Sequence, residues 1–142
     1  MKKEILGKYI LQTPLPEHAK QQAELQEIVF PTLSAEELIT EEKYKRHLEI
    51  FPEGQFIVLD GDRVIASCTT LRQNYHKGHH TFLEISDDLW LGTHDPKAEW
   101  IYGLDVSVHP DYQGKGIGRE IYNARQEVAK ALGCKGQMTA GM

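Results

Sequence analysis

Val106-Ser107-Val108-His109-Pro110-Asp111-Tyr112-Gln113-Gly114-Lys115-Gly116-Ile117-Gly118-Arg119 is the stretch on which the reading of this chain turns. Apolar residues alternate up to Val108, His109-Pro110 ends the run, and Gly114, Gly116 and Gly118 lead into a helical pattern. A strand therefore passes through a tight loop and opens a helix. Glycine has no Cβ, so backbone N–H groups in such a loop can close on a ligand. The first N–H groups of a helix lack internal partners and carry the positive end of its dipole. Loop and helix start together make an anion pocket suited to phosphate. Lys115 and Arg119 add positive charge at its mouth. From Tyr112 to Lys135 there are five bases and two acids, so the rest of a chain of net charge −5 is strongly acidic.

Outward from the loop, Trp100–Val108 is the longest strand candidate, with Leu104, Val106 and Val108 on one face. Arg119–Leu132 reads as a helix with Gly133 at its C-terminal end. Cys134–Ala140 reads as a last short strand. Towards the N-terminus, Asp60-Gly61 between Phe56–Leu59 and Val64–Leu71 is a hairpin signal. Tyr9–Thr13 is a strand closed by Pro14 and Pro16, and Glu17–Phe30 a helix closed by Pro31. Ser34-Ala35-Glu36-Glu37 is a capping-box pattern, predicting a helix from Ser34 that ends at Pro52. Phe82–Trp90 is a candidate short helix in a polar stretch. The order β-α-α-β-β-(α)-β-α-β predicts an α/β (α+β) fold, a mixed central sheet flanked by helices. The expectation is one domain over residues 1–142, ending after the fifth strand.

At 142 residues, 40% hydrophobic and 26% charged, the composition is that of a globular domain with a core. An excess of acids over bases disfavours general nucleic-acid binding, which needs a basic face. Cys68 and Cys134 are the only cysteines, too few for a disulfide framework or a four-thiolate zinc site. No apolar run approaches the length of a membrane span, and the start is not a secretory signal. These features imply a cytoplasmic protein with neither nucleic acid nor membrane as partner.

Other phosphate loops do not fit. Gly114-x-Gly116-x-Gly118 is not the dinucleotide pattern, and no acid near position 138 could hold a ribose. There is no Walker lysine loop and no kinase signature. The stretch instead resembles motif A of the GCN5-related N-acetyltransferase (GNAT) superfamily, Q/R-x-x-G-x-G/A, matched by Gln113, Gly116 and Gly118 after a V-x-V-H-P lead-in. The order of elements before the motif fits the same fold.

The resemblance implies a site for acyl-CoA, acetyl-CoA foremost. Backbone groups from Gln113, Gly114, Lys115, Gly116, Ile117 and Gly118 to Arg119 would bind the pyrophosphate. The backbone at Val106 and Val108 would pair with the pantetheine arm as a neighbouring strand does. A strand amide would face the thioester oxygen. The implied activity is transfer of the acetyl group to a primary amine, on a small molecule or a peptide, directly and with both substrates bound. The alternative is an acyl-CoA-binding module without turnover, or a fragment of a longer acetyltransferase. Members of the superfamily continue with a further helix and two strands that complete the acceptor cleft. The expectation is therefore an unpaired edge near Lys135–Ala140, where a second copy could pair to form a homodimer.

Amine acylation needs a neutral amine, hence a base. Asp105 and Glu99 are the candidate catalytic residues: Asp105 beside Val106, Glu99 at the start of the strand and able to act through water. His109 reads as structural. His76, His79 and His80 could in principle bind a metal, but nothing else in that loop supports a site, and no metal is expected. Cys68 reads as a buried small hydrophobe, and Glu36, Glu37, Glu41 and Glu42 as a solvated helix face.

Overall fold

The computed structural model describes residues 2–34, 38–73, 90–91 and 94–139. Its elements are β1 Lys2–Ile5, β2 Tyr9–Gln12, α1 Ala19–Val29, α2 Glu41–Ile50, β3 Phe56–Asp60, β4 Arg63–Arg72, β5 Trp100–Val108, α3 Ile117–Ala131 and β6 Gly136–Thr139. Short 3-10 turns at Pro16–His18, Pro52–Gly54 and Pro110–Tyr112 join them. The six strands form one mixed sheet in the order β1-β2-β3-β4-β5-β6. Neighbours are antiparallel except β5 and β6, which run parallel across α3. Helices α1 and α2 pack together on one face, with α1 on β4 and β5, and α3 lies against β5 and β6.

A bulge in the β3–β4 pairing, where the register shifts between Val58 and Leu59, lets Val64 leave the face of Ala66 and Cys68. Ala66 and Cys68 join Phe56, Val58, Ile101, Ile117, Ile121 and Ala124 in the larger apolar core under α3. Ile57 and Val64 meet Leu25 of α1 on the other face. Helix α3 owes its place to Ile117, Ile121, Ala124, Val128 and Ala129, buried residues recurring at helical spacing.

The structure corrects four expectations. Leu104 does not share a face with Val108: it packs with Ala19, Ile39 and Tyr44 under α1 and α2, whereas Val108 packs in the core under α3. The sheet has six strands, so the last is the sixth. β1 is the addition: a polar edge strand in which only Ile5 is buried. It is joined to β2 by a turn in which Leu6 and Gly7 both have positive φ, 53° and 72°. Helix α2 begins at Glu41 with Thr40 as its N-cap, the hydroxyl accepting from Lys43 N–H at 3.4 Å, rather than at Ser34. Residues 35–37 of the expected capping box lie outside the described residues, as do the candidate helix after Phe82 and the His76, His79 and His80 cluster. Helix α3 starts at Ile117, two residues before the expected Arg119.

One glycine outside the loop is fixed by packing. A Cβ on Gly54 would run into the Phe51 ring and Thr70 Oγ1, and that hydroxyl already donates to the Gly54 carbonyl at 2.7 Å. Gly54→Ala should cost about 1–3 kcal/mol by overpacking. The check is a urea titration in which the midpoint falls and the slope is kept.

Candidate active site

Strand β5 is built as a half-open edge. On one side it pairs with β4 from Ile101 to Val108, with a register shift that leaves Leu104 as the extra residue between Gly103 and Asp105. On the other side it pairs with β6 from Trp100 to Gly103. Among the described residues, no strand pairs with that side beyond Gly103. The His109 N–H donates to the Ile65 carbonyl at 2.9 Å, so Ile65 and His109 are a hydrogen-bonded pair. Bonding to β4 then recurs at Ser107 and Asp105, every second residue. The N–H and C=O groups of Val106 and Val108 point the other way, to the open edge. Gln113 Nε2 reaches back to the Val108 carbonyl at 3.1 Å and folds the loop under the strand end. The Val106 side chain is 38% exposed.

The loop has the backbone the glycines predicted. Gly114 and Gly116 have φ of 76° and 92°, the left-handed region that disfavours side chains. Gly116 is the N-cap of α3, and no side chain caps that end. The first intrahelical bond is Glu120 N–H to the Gly116 carbonyl at 3.2 Å. The N–H groups of Ile117, Gly118 and Arg119 therefore have no intrahelical acceptor. The Ile117 side chain is buried in the core, so this residue offers a ligand only its backbone. Lys115 and Arg119 are exposed at the mouth. Donors and positive charge thus converge where the open edge of β5 ends.

Asp105 follows the bulged Leu104, and a bulge re-aims the side chains beside it. Leu104 packs on Ala19, Ile39 and Tyr44 beneath α1 and α2. The Asp105 carboxylate faces the same way. Its Oδ2 accepts from Gln26 Nε2 at 2.8 Å and from Ser107 Oγ at 3.0 Å; Oδ1 takes neither bond. Burial pushes the carboxyl up to about 6, against the two hydrogen bonds that pull it down. Gln26 is itself buried and fixed: its Oε1 accepts from Ile39 N–H at 3.2 Å, and its Nε2 also lies 2.8 Å from Ser107 Oγ. The buried Tyr44 phenol is raised well above its ordinary value, first by burial and then by the Asp105 charge, so it stays neutral. Gln26 and Tyr44 are the parts that reading the sequence missed. Two glutamines on the buried face of α1, Gln22 and Gln26 beside Ala19 and Leu25, were the available signal.

The two candidate bases are set far apart. Glu99 stands before the first residue of β5, exposed, and pairs with Lys135 at 3.0 Å. Its position is seven residues from Val106, about 23 Å along the strand. That places it at the opposite end from the open edge. His109 caps the turn after β5, its Nδ1 accepting from Asp111 N–H at 3.1 Å, with Arg63 Nη2 at 3.1 Å from Nε2. Cys68 is wholly buried and its thiol is pushed up to about 12 by burial, which makes it inert as a nucleophile. No group of three metal-ligating side chains occurs among the described residues, and none of the described helices is long and apolar enough to cross a membrane.

A glycine turn feeding an uncapped helix is thus set against a bulged strand with an open edge. The chain matches the model of the acetyltransferase (GNAT) family over residues 22–140 and belongs to that family. Among similar Bacillus subtilis (strain 168) proteins, "Probable hydrolase YhcX" is 38% identical over 97 residues, 67% of this chain and 19% of that protein. "Uncharacterized N-acetyltransferase YkwB" is 33% identical over 107 residues, 73% of this chain and 47% of that protein. The chain thus spans about half of one relative and about a fifth of the other. Among solved structures, the GphF GNAT-like decarboxylase in complex with isobutyryl-CoA is similar, with a TM-score of 0.69 at 15% identity. That likeness covers 83% of this chain and 57% of the other.

Proposed function

We propose that this chain is an N-acyltransferase domain that moves the acyl group of an acyl-CoA, acetyl-CoA being the first donor to try, directly onto a primary amine. The observation that carries the reading is the meeting of two features at the end of β5. The unpaired edge at Val106 and Val108 runs into the uncapped amides of α3. The pyrophosphate would lie on the amides of Gln113 to Arg119, with Lys115 and Arg119 beside it. The pantetheine arm would take the edge as an added strand. The amine nitrogen would attack the thioester carbonyl carbon, the C–S bond would break, and CoA would leave as its thiolate. Asp105 would take the amine proton: its carboxyl lies near 6, so it is ionised at neutral pH yet basic enough to serve. Glu99, ion-paired at the far end of the strand, is not assigned that role. Membership in the family, and the N-acetyltransferase name of one relative, support the reading.

The test is a thermal melt with acetyl-CoA, with NAD as control, followed by release of CoA thiol with a panel of amines. At 100 times its dissociation constant the donor should add about 2.7 kcal/mol, a rise of several degrees. A rise with acetyl-CoA but not NAD, and thiol release dependent on an amine, support the reading. A rise without release assigns a binding module. No rise with any CoA thioester overturns the site.

A further inference from the structure

Arg125 is buried, and among the described residues no carboxylate pairs with it. It sits on the inward face of α3 with 5% of its surface exposed, among Ile121, Ala124 and Val128. Its Nε and Nη1 atoms are buried without a hydrogen-bond partner. None of the ion pairs formed by the described residues includes it. Its guanidinium lies 5.7 Å from the centre of the Tyr122 ring and reaches the buried thiol of Cys68, on which it acts as a positive charge and a donor. A buried cation without a partner destabilises a fold, and an apolar side chain of similar size would serve packing better.

Its surroundings place it. Cys68 is on β4, opposite Val106 of β5. Tyr122 is half-exposed on the flank of α3 that faces β6, where its carbonyl accepts from Gln137 Nε2 at 3.3 Å. The guanidinium thus lies between Tyr122 and Cys68, and Cys68 is the cross-strand partner of Val106 at the open edge. The Arg125 backbone is eight residues into the helix, about 12 Å along its axis from the amides that would hold the pyrophosphate. The contact with Cys68 sets it beside the part of β5 that would hold the pantetheine and its thioester.

We propose that Arg125 receives a carboxylate carried on the acyl group, so that the preferred donors are CoA thioesters of dicarboxylic acids, with succinyl-CoA the model. This inference rests on the acyl-CoA reading above and deepens it. A guanidinium presents paired donors that match a carboxylate in two parallel bonds, and in a poorly solvated site such bonds are at their strongest. An acetyl group would leave the cation as unpaired as it is now.

The experiment is a calorimetric titration of the whole chain with succinyl-CoA, acetyl-CoA and free CoA, repeated on Arg125→Met and Arg125→Lys. The wild type should bind succinyl-CoA at least about tenfold more tightly than acetyl-CoA, the scale of hydrogen bonds to a charged group. In Arg125→Met, which should melt no lower than the wild type, the ratio should fall close to one. Arg125→Lys keeps the charge but loses the fork, and should retain only part of the preference. It also tests the idea should the methionine variant misfold. Equal affinities in the wild type, or an unchanged ratio in both variants, would overturn the proposal and leave the acyl-CoA reading standing. Failure of every CoA thioester to bind would overturn both.

Discussion

Asp105→Asn should make the protein more stable at neutral pH and slow its acyl transfer. The sign follows from the carboxyl. An unfolded Asp ionises near 3.9, whereas in the fold burial raises Asp105 to about 6. Between these values the native state holds a proton that the unfolded chain has released. Stability contributed by this group is therefore fully present below about pH 4 and is lost as pH rises to about 6. A rise of that size corresponds to at most about 3 kcal/mol, and less for a side chain that keeps some contact with solvent. Asparagine is never charged. Its amide oxygen can accept from Gln26 and Ser107 as Oδ2 does now. The melting temperatures of the two proteins should coincide near pH 4, separate by several degrees between pH 4 and 7, and stay parallel above. As the proposed base, Asp105 should also give the wild type a rate that climbs through about pH 6. Its loss should cost about 10²–10⁴ in rate. A gap that does not widen with pH would mean that Asp105 ionises normally. A variant that keeps its rate would move the base elsewhere.

The residues that carry the site are the same ones that made the fold legible. Val106, Val108 and the three glycines announce strand, turn and helix by patterning and by conformational need, and φ of 76° and 92° at Gly114 and Gly116 is what such spacing asks for. The Asp60-Gly61 hairpin and the span of β5 follow from equally local chemistry. What escaped was chemistry that is not local. β1 carries Lys2, Lys3 and Glu4, which alone have no reason to be a strand. It exists because Ile5 is buried and because Lys3 meets Glu127 of α3, 124 residues away, at 3.0 Å. Its turn places Leu6 at a φ of 53°, where the residue type gives no warning. The start of α2 moved from Ser34 to Thr40 for a similar reason: both can cap, and the choice rests on Ile39 being buried with its N–H on Gln26.

The site divides in the same way. Its backbone part was readable because it depends on turn geometry. The acid–base part was not, because Asp105 and Glu99 differ only in what surrounds them. Asp105 lies under α1 with Gln26, and Glu99 lies in solvent beside Lys135. Arg125, read simply as one of the bases of the helix, acquires meaning only when its face proves to be the buried one.

Gly118→Asp should weaken acyl-CoA binding by about two orders of magnitude or more without weakening the fold. Gly116 is the obvious glycine to change, but at a φ of 92° any side chain there strains the turn, so lost binding would be confounded with damage. Gly118 is free of that problem. It lies in the first turn of α3, its φ is ordinary, and a Cβ would meet nothing within 4 Å. Aspartate is only slightly better than glycine inside a helix, by a few tenths of a kcal/mol, but a carboxylate in the first turn gains about 0.3–1 kcal/mol from the dipole. The variant should melt at or above the wild type. The same carboxylate would occupy the amides proposed for the pyrophosphate and repel it. Two like unit charges about 4 Å apart near a surface repel by as much as about 4 kcal/mol. Affinity for CoA should therefore fall by about two orders of magnitude or more. Gly118→Ser, similar in bulk and neutral, should lose far less. Part of the loss should return in about 1 M salt, where the screening length is about 3 Å. An aspartate variant that binds CoA as the wild type does would show that the phosphates lie away from the start of α3. With them would go the placement of the pantetheine arm on β5 and of any acyl carboxylate on Arg125.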